Sequence, residues 1–201
     1  MAYLTLANSA THETEIKGSR FLALVAACDS SEEAEMMIAA ARREHPHASH
    51  HCWAYRVGNS SRFSDDGEPG GTAGRPMLEV MLKRNLDHLV GVVTRYFGGT
   101  KLGAGGLARA YSGTLARALD GAGERLVQDR QAFRLQVPFE VSGALFSLTT
   151  NWPGLRQSEP QYTSAGLILE VSIEAPRQAA FLERLRDVSR GRARAEIIKE
   201  S

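Results

Sequence analysis

Residues 88–111, HLVGVVTRYFGGTKLGAGGLARAY, join an apolar run to a helix-like run through a glycine-rich segment. The run at 88–97 has the length and composition of a buried strand. The last residues have the apolar spacing of a helix that begins at Gly105 or Gly106. Because glycine allows tight turns and close backbone approach, the stretch predicts a strand, a glycine loop and a helix with free N–H groups.

This segment also carries cations. A helix N-terminus with unpaired N–H groups attracts anions, and Arg95, Lys101 and Arg109 could add positive charge there. We therefore predict an anion-binding site made of these cations and of glycines, namely Gly98, Gly99, Gly103, Gly105 and Gly106. The competing interpretation is that the glycines only supply positive φ angles and close packing, while the cations point into solvent.

Two nucleotide-binding motifs do not fit this segment. A Walker loop has Gly-Lys followed by Ser or Thr, whereas Lys101 follows Thr100 and precedes Leu102. GAGGLA at 103–108 matches the letters of a dinucleotide fingerprint, but that motif leaves its strand directly, and here several residues intervene. The sequence therefore favours an anion site of a more general kind.

Elements before residue 88 are predicted from similar patterns. Ser30 and Glu33 have the spacing of a capping box and predict a helix from Ser31 to Glu44. Dense turn formers predict a long loop over 59–74. The other predicted elements are strands over 20–28 and 50–57 and a helix over 77–86.

The pattern changes after residues 121–131, which are typical of a junction. Downstream segments predict the order β-α-β-β-α-β, with strands over 132–139, 155–163, 166–174 and 193–200 and helices over 140–150 and 176–189. This order is the ferredoxin-like signature. The sequence therefore predicts an α+β protein with an N-terminal domain at 1–130 and a C-terminal domain at 131–201.

Three carboxylates lie close together in the predicted loop. Asp65, Asp66 and Glu68 are a candidate Mg²⁺ site, although the ligand spacing of an EF-hand is absent. A second interpretation is an ordinary turn with exposed carboxylates. In a third, the loop folds against Arg95 or Lys101 as a salt-bridged lid.

The histidines and cysteines do not form a complete metal site, and neither cysteine is predicted to be a nucleophile. His45, His47, His50 and His51 cluster ahead of Cys52, but no second Cys/His pair exists to finish a structural zinc site. His50 or His51 could carry a proton beside a bound anion. Cys28 and Cys52 lie in apolar runs and are expected to be buried thiols. We predict no catalytic residue, no metal and no cofactor.

Charge and hydropathy limit the partners. With 24 Lys+Arg and 23 Asp+Glu, the net charge is +1, so nucleic-acid binding requires a local basic face. A C-terminal basic cluster is either a solvated helix face or an RNA-contact surface; it comprises Arg184, Arg186, Arg190, Arg192, Arg194 and Lys199. No apolar run approaches the roughly 18 residues of a membrane span, and no secretion signal is visible. We expect a cytoplasmic protein without membrane contact.

Four motifs together resemble the YigZ/IMPACT family: KGSRF (17–21), HHCWAYR (50–56), SDDGEPGGTAGRP (64–76) and VVTRYFGGTKLGAGGLARAY (92–111). The resemblance implies an N-terminal domain similar to domain two of ribosomal protein S-five. It also implies a ferredoxin-like C-terminal domain similar to one in elongation factor G. Within these motifs, the further candidate site residues are Arg20, His50, Asp65, Asp66 and Glu68.

The resemblance also implies a link to translation, because eukaryotic IMPACT proteins restrain a stress kinase of initiation by competing for its ribosome-associated activator. The first hypothesis is a non-catalytic regulator that binds RNA, the ribosome or a translation factor through the cationic glycine loop. The alternative is an enzyme or sensor for a phosphorylated small molecule or nucleotide with Mg²⁺. In that alternative, Arg95 and Lys101 bind the phosphate and His50 acts as acid or base.

Overall fold

The structure, a computed structural model, describes residues 2–198 and contains two compact units. The first unit spans Tyr3–Val127, and the second begins at Gln128. Both units combine helices with antiparallel strands. The α+β class predicted from the sequence is therefore confirmed.

A five-stranded antiparallel sheet forms the centre of the first unit. In order across the sheet, its strands are β2 (Ala10–Ile16), β3 (Ser19–Ala27), β6 (Leu89–Tyr96), β4 (His50–Val57) and β5 (Ser60–Ser64). A separate ribbon pairs β1 (Tyr3–Leu6) with β7 (Glu124–Val127), with Tyr3 opposite Val127. The first strand of the unit is thus paired with its last.

Helices cover both faces of this sheet. Helix α1 (Ser31–Glu44) packs on one face, while α2 (Gly74–Lys83) and α3 (Ala104–Ala122) pack on the other. At residue 91 the contact is so close that a Cβ would lie 2.5 Å from a methyl carbon of Leu115 in α3. Each large aliphatic side chain buried here stabilises the fold by about 1.5 to 3 kcal/mol.

Two strands lie where the sequence predicted a loop and a junction. Strand β5 occupies the first part of the expected loop at 59–74 and forms a hairpin with β4, with Val57 opposite Ser60. Its polar sequence gives no strand pattern, but β4 satisfies its backbone hydrogen bonds. Strand β7 lies within the predicted junction at 121–131, where its partner β1 is distant in sequence. The predicted loop is therefore shorter than expected, at residues 65–73, and the predicted junction contains a strand that its own sequence pattern does not indicate.

The second unit has the predicted β-α-β-β-α-β order. Its elements are β8 (Arg130–Val137), α4 (Ser142–Asn151), β9 (Arg156–Gln157), β10 (Gln161–Thr163), β11 (Gly166–Glu174), α5 (Gln178–Val188) and β12 (Arg194–Ile198). The strand order β10-β11-β8-β12 is that of a ferredoxin-like sheet. The single strand expected over 155–163 is divided into β9 and β10, because Pro160 between them cannot donate a ladder hydrogen bond.

Candidate functional site

The segment between β6 and α3, residues 97–103, is here called the glycine loop. Gly98 meets the turn between β2 and β3, where a Cβ on Gly98 would lie 2.0 Å from the carbonyl of Gly18. Gly99 and Gly103 have φ angles of 84° and 72°, and a Cβ on either would meet open space. Glycine is therefore required at 98 for close approach and favoured at 99 and 103 by the backbone angle.

The N-terminus of α3 lies at the end of the glycine loop. Its N-cap residue, Gly103, offers no side-chain hydrogen bond, and the first turn contains no acidic residue. Leu107 is the first residue of the helix whose N–H reaches an intrahelical acceptor, the Gly103 carbonyl. The N–H groups of residues 104–106 are left without intrahelical partners, as the sequence predicted for this helix start.

Exposed cations surround the glycine loop. Lys101 is exposed within the loop and Arg109 is exposed on α3. A Cβ on Gly105 would lie 3.5 Å from Nη1 of Arg109, so this guanidinium lies over the first turn of the helix. Lys17, which the sequence analysis missed, is exposed in the turn that contacts Gly98. None of the three cations makes an ion pair with another described residue.

Arg95 does not belong to this exposed rim. It is only 4% exposed, and its guanidinium lies 5.3 Å from the ring centroids of both Phe21 and Phe97. Its Nη1 donates to Glu68 Oε1 over 2.6 Å and its Nη2 donates to Ser19 Oγ over 3.2 Å. The predicted role of Arg95 as an exposed anion ligand is corrected accordingly, because its charge is already paired in the interior.

Glu68 is the centre of a buried polar cluster. Besides Arg95, Tyr111 donates to Glu68 Oε1 over 2.7 Å. His50 lies at the edge of the cluster, with Nε2 at 3.9 Å from the same oxygen. The other ring nitrogen, Nδ1, donates to the Asp66 carbonyl over 2.8 Å. The backbone carbonyl therefore fixes the orientation of the His50 ring, with Nδ1 as the donor and Nε2 on the side of Glu68.

Cys52 borders this cluster as a buried free thiol. Its Sγ lies 3.0 Å from the Asp65 carbonyl, and burial raises the pKa of Cys52 to about 12. Burial, together with the nearby Cys52 and Glu68, also raises the pKa of Tyr111. Neither side chain therefore offers an anionic nucleophile near neutral pH.

The carboxylates of the acidic loop, residues 65–73, have separate structural partners. Asp65 accepts hydrogen bonds from the N–H groups of Gly71, Ala73 and Gly74 over 2.7, 2.9 and 2.9 Å. It thus caps α2, which begins at Gly74. Burial opposes ionisation of Asp65, but these three donors outweigh that effect and hold its pKa below its ordinary value.

Asp66 and Glu68 have hydrogen-bond partners different from those of Asp65. Asp66 accepts hydrogen bonds from Arg42 and from the N–H of His51, each over 2.6 Å. Among residues 2–198, no group of His, Cys, Asp and Glu side chains could hold a metal ion. The three carboxylates of the candidate Mg²⁺ site are thus not brought together. The Glu68–Arg95 pair instead matches the interpretation in which the loop folds against Arg95.

The remaining predicted cations lie apart from the glycine loop. Arg20 pairs with Tyr96 across β3 and β6 and therefore points to the sheet face opposite Arg95; its Nε donates to Glu13 over 2.7 Å. The C-terminal basic cluster is divided among α5, the turn that follows it, and β12. Its members Arg184, Arg186, Arg190, Arg192 and Arg194 are exposed, while Lys199 lies outside the described residues.

Comparison with known proteins identifies the family. The model of the Impact N-terminal domain matches residues 17–119. The chain is 35% identical to the IMPACT family member YigZ of Escherichia coli (strain K12) over 205 residues, 99% of each chain. It is 42% identical to YvyE of Bacillus subtilis (strain 168) over 137 residues, 67% of this chain and 62% of YvyE.

A solved structure, described as the crystal structure of a hypothetical protein, has the same overall architecture. It matches all of this chain and 98% of its own, with 34% sequence identity and a TM-score of 0.70. Within residues 2–198, the structure contains no helix with the length and apolar character needed to cross a membrane. By the family match and the relatives at full length, the chain belongs to the IMPACT family.

Proposed function

We propose that this protein is a non-catalytic, translation-associated regulator that binds RNA through the glycine loop and the first turn of α3. The observation that carries the proposal is the combination of free helix N–H groups with exposed, unpaired cations at one place. Lys101 lies in the loop and the Arg109 guanidinium lies over the first turn. Backbone N–H groups and cations of this kind bind phosphate oxygens.

Phe97 supports RNA as the ligand over a simple phosphate. This residue is 50% exposed, and its ring lies 5.3 Å from the guanidinium carbon of Arg95. Exposed aromatic rings beside cations bind single-stranded nucleic acid, because a base can stack on the ring while its phosphate meets the cations. The buried Arg95 would hold the ring in place behind the stacked base.

The engaged side chains of the cluster favour binding over catalysis. Cys52 has a pKa of about 12 because it is buried, and Asp65 and Asp66 are occupied by backbone and arginine donors. The alternative enzyme or sensor needs these carboxylates on Mg²⁺. The link to translation itself comes from the family, whose eukaryotic members act in the control of initiation.

The first experiment is co-sedimentation of the purified protein with ribosomes and with bulk RNA across a salt series. We expect binding that weakens as salt rises from about 50 to 200 mM, since phosphate contacts release counterions. Lys101→Ala should weaken this binding, since one phosphate contact is lost. The matched control is Lys83→Ala, since Lys83 is exposed in the last turn of α2, near the start of β6 and away from the glycine loop.

Two outcomes would contradict the proposal. One is the absence of binding at low salt; the other is binding that Lys101→Ala and Lys83→Ala weaken equally. In either case, a thermal-shift screen with nucleotides and sugar phosphates would test the alternative, since a ligand of the folded state raises the melting temperature.

A further inference from the structure

One oxygen atom connects the two sides of the glycine loop. Glu68 Oε1 accepts hydrogen bonds from Arg95, two residues before the loop, and from Tyr111 on α3, which follows the loop. The distances are 2.6 and 2.7 Å. The Glu68 and Arg95 side chains are 4% and 5% exposed, so water competes little for these bonds.

The same network reaches the backbone of the loop. Arg95 Nη2 donates to Ser19 Oγ over 3.2 Å, and this oxygen also accepts the N–H of Gly98 over 3.1 Å. A second serine, Ser49, accepts the N–H of Phe97 over 3.1 Å. A continuous path of hydrogen bonds therefore runs from the Glu68 carboxylate to the first residues of the glycine loop.

Glu68 is itself held in place by its own loop. Its neighbours Asp65 and Asp66 fix the acidic loop to the start of α2 and to Arg42 on α1. The carboxylate is thus presented by a segment that is anchored independently of the glycine loop. Such an anchor can order a neighbouring segment, because the position of its acceptor atom does not depend on that segment.

Order in the glycine loop matters for binding. Glycine loses more conformational freedom on folding than any other residue, so a flexible glycine loop binds a ligand weakly unless other contacts order it beforehand. Hydrogen bonds to a buried charge are the strong ones in proteins. The hydrogen bonds of Glu68 to Arg95 and Tyr111, on the two sides of the loop, are contacts that can order it before a ligand binds.

We infer that Glu68 is a positioning residue of the RNA-binding site, which it orders through Arg95 and Tyr111 without touching the ligand. The inference rests on the proposed function. It assigns a role in binding to the buried carboxylate of Glu68, which does not belong to the exposed cationic surface. It also makes the acidic loop part of the site, although its carboxylates bind arginine, tyrosine and backbone donors of the protein itself.

The test uses Tyr111→Phe, which removes one donor and preserves the ring, and Ser19→Ala, which interrupts the path to Gly98. Hydrogen exchange of the ligand-free protein is measured on peptides from the glycine loop and the first turn of α3. Affinity is measured with a short fluorescent oligouridylate. Ile38→Val is the control, because Ile38 lies on α1 and is buried against the other face of the sheet.

For Tyr111→Phe, we expect about threefold faster exchange in the loop peptides and about three- to tenfold weaker binding of the oligouridylate, the range for one lost hydrogen bond. Ser19→Ala should have effects of the same direction. Ile38→Val should lower the stability of the unit but change neither the loop exchange nor the affinity. If Glu68 only stabilised the fold, Tyr111→Phe and Ser19→Ala would behave like Ile38→Val. They would lower the stability of the unit and change neither the loop exchange nor the affinity.

The two proposals fail in different ways. Binding that depends on Lys101 but is unchanged in Tyr111→Phe and Ser19→Ala would overturn the positioning role of Glu68 alone. If the wild-type protein shows no Lys101-dependent binding, the proposed function fails, and the role of Glu68 in binding fails with it.

Discussion

Gly98 lies so close to Gly18 that a Cβ on residue 98 would stand 2.0 Å from the Gly18 carbonyl carbon and oxygen. The contact holds the start of the glycine loop against the turn between β2 and β3. Lys17 precedes Gly18 in that turn and is exposed. The backbone contact therefore brings a third cation close to the loop that carries Lys101.

Gly98→Ala should destabilise the protein, because the added methyl group overlaps backbone atoms that cannot move aside. We expect a loss of about 2 kcal/mol or more in the free energy of unfolding, measured by chemical denaturation. Gly70→Ala is the control, since a Cβ on Gly70 meets no atom within 4 Å. Equal denaturation midpoints for the two variants would contradict the close contact at Gly98.

Lys101→Ala and Arg109→Ala should each lower the salt dependence of RNA binding. For single strands, each lost phosphate contact reduces the slope of log K against log salt by about 0.7. The double variant should therefore lose about 1.4 in slope, measured by fluorescence anisotropy with a single-stranded probe. Lys83→Ala should keep the wild-type slope, and a slope that none of the variants changes would remove these cations from the interface.

Asp65→Ala should reveal the capping of α2. Losing the cap should reduce the free energy of unfolding by about 1 to 2 kcal/mol at neutral pH. The folded-state pKa of Asp65 lies below its ordinary value, so its contribution is present above that ordinary value and is lost as the pH falls through the lower folded-state value. The variant should consequently lose less stability than the wild type on acidification.

Denaturation curves at neutral pH and near pH 3 would measure this difference. Glu15→Gln is a suitable control, because Glu15 is exposed on β2 and makes no ion pair among the described residues. A wild-type protein and an Asp65→Ala variant with parallel pH profiles would argue against a depressed pKa at Asp65.

Arg95→Met should destabilise the first unit strongly, because it leaves Glu68 buried without its charged partner. Removing one member of a buried ion pair typically costs about 3 to 5 kcal/mol. Glu68→Met combined with Arg95→Met should cost less than the sum of the single changes, since no unpaired charge remains. Additive losses in this double-mutant cycle would show that the two groups do not interact.

The parts of the fold that the sequence predicted well depend on local signals. Helix α1 spans the predicted residues 31–44, and Ser30 accepts the N–H of Glu33 over 3.1 Å, as the capping spacing indicated. Strands β3, β4 and β6 end within a residue of their predicted limits, because β3 and β6 are apolar runs and β4 is rich in aromatic residues and alternates. Strands β5 and β7 were missed because their pairing partners, and not their own composition, make them strands.

In the candidate site, too, features with a local sequence signal were predicted and features that depend on distant residues were not. Glycine spacing was enough to predict the loop and the free start of α3. The pairing of Arg95 with Glu68, 27 residues away, and of Tyr111 with Glu68, 43 residues away, has no local signature. Strand alternation did contain one signal: Arg95 lies opposite Phe21 in the sheet and therefore shares the face that α2 and α3 bury.

Pairing between β1 and β7 affects how the first unit can form during synthesis. Tyr3 is opposite Val127, so the first strand emerges from the ribosome long before its partner exists. At elongation rates of about 5 to 20 residues per second, that interval is on the order of ten seconds. During it β1 lacks β7, the strand with which it forms the ribbon. The ribbon can therefore close only after residues 124–127 have been translated.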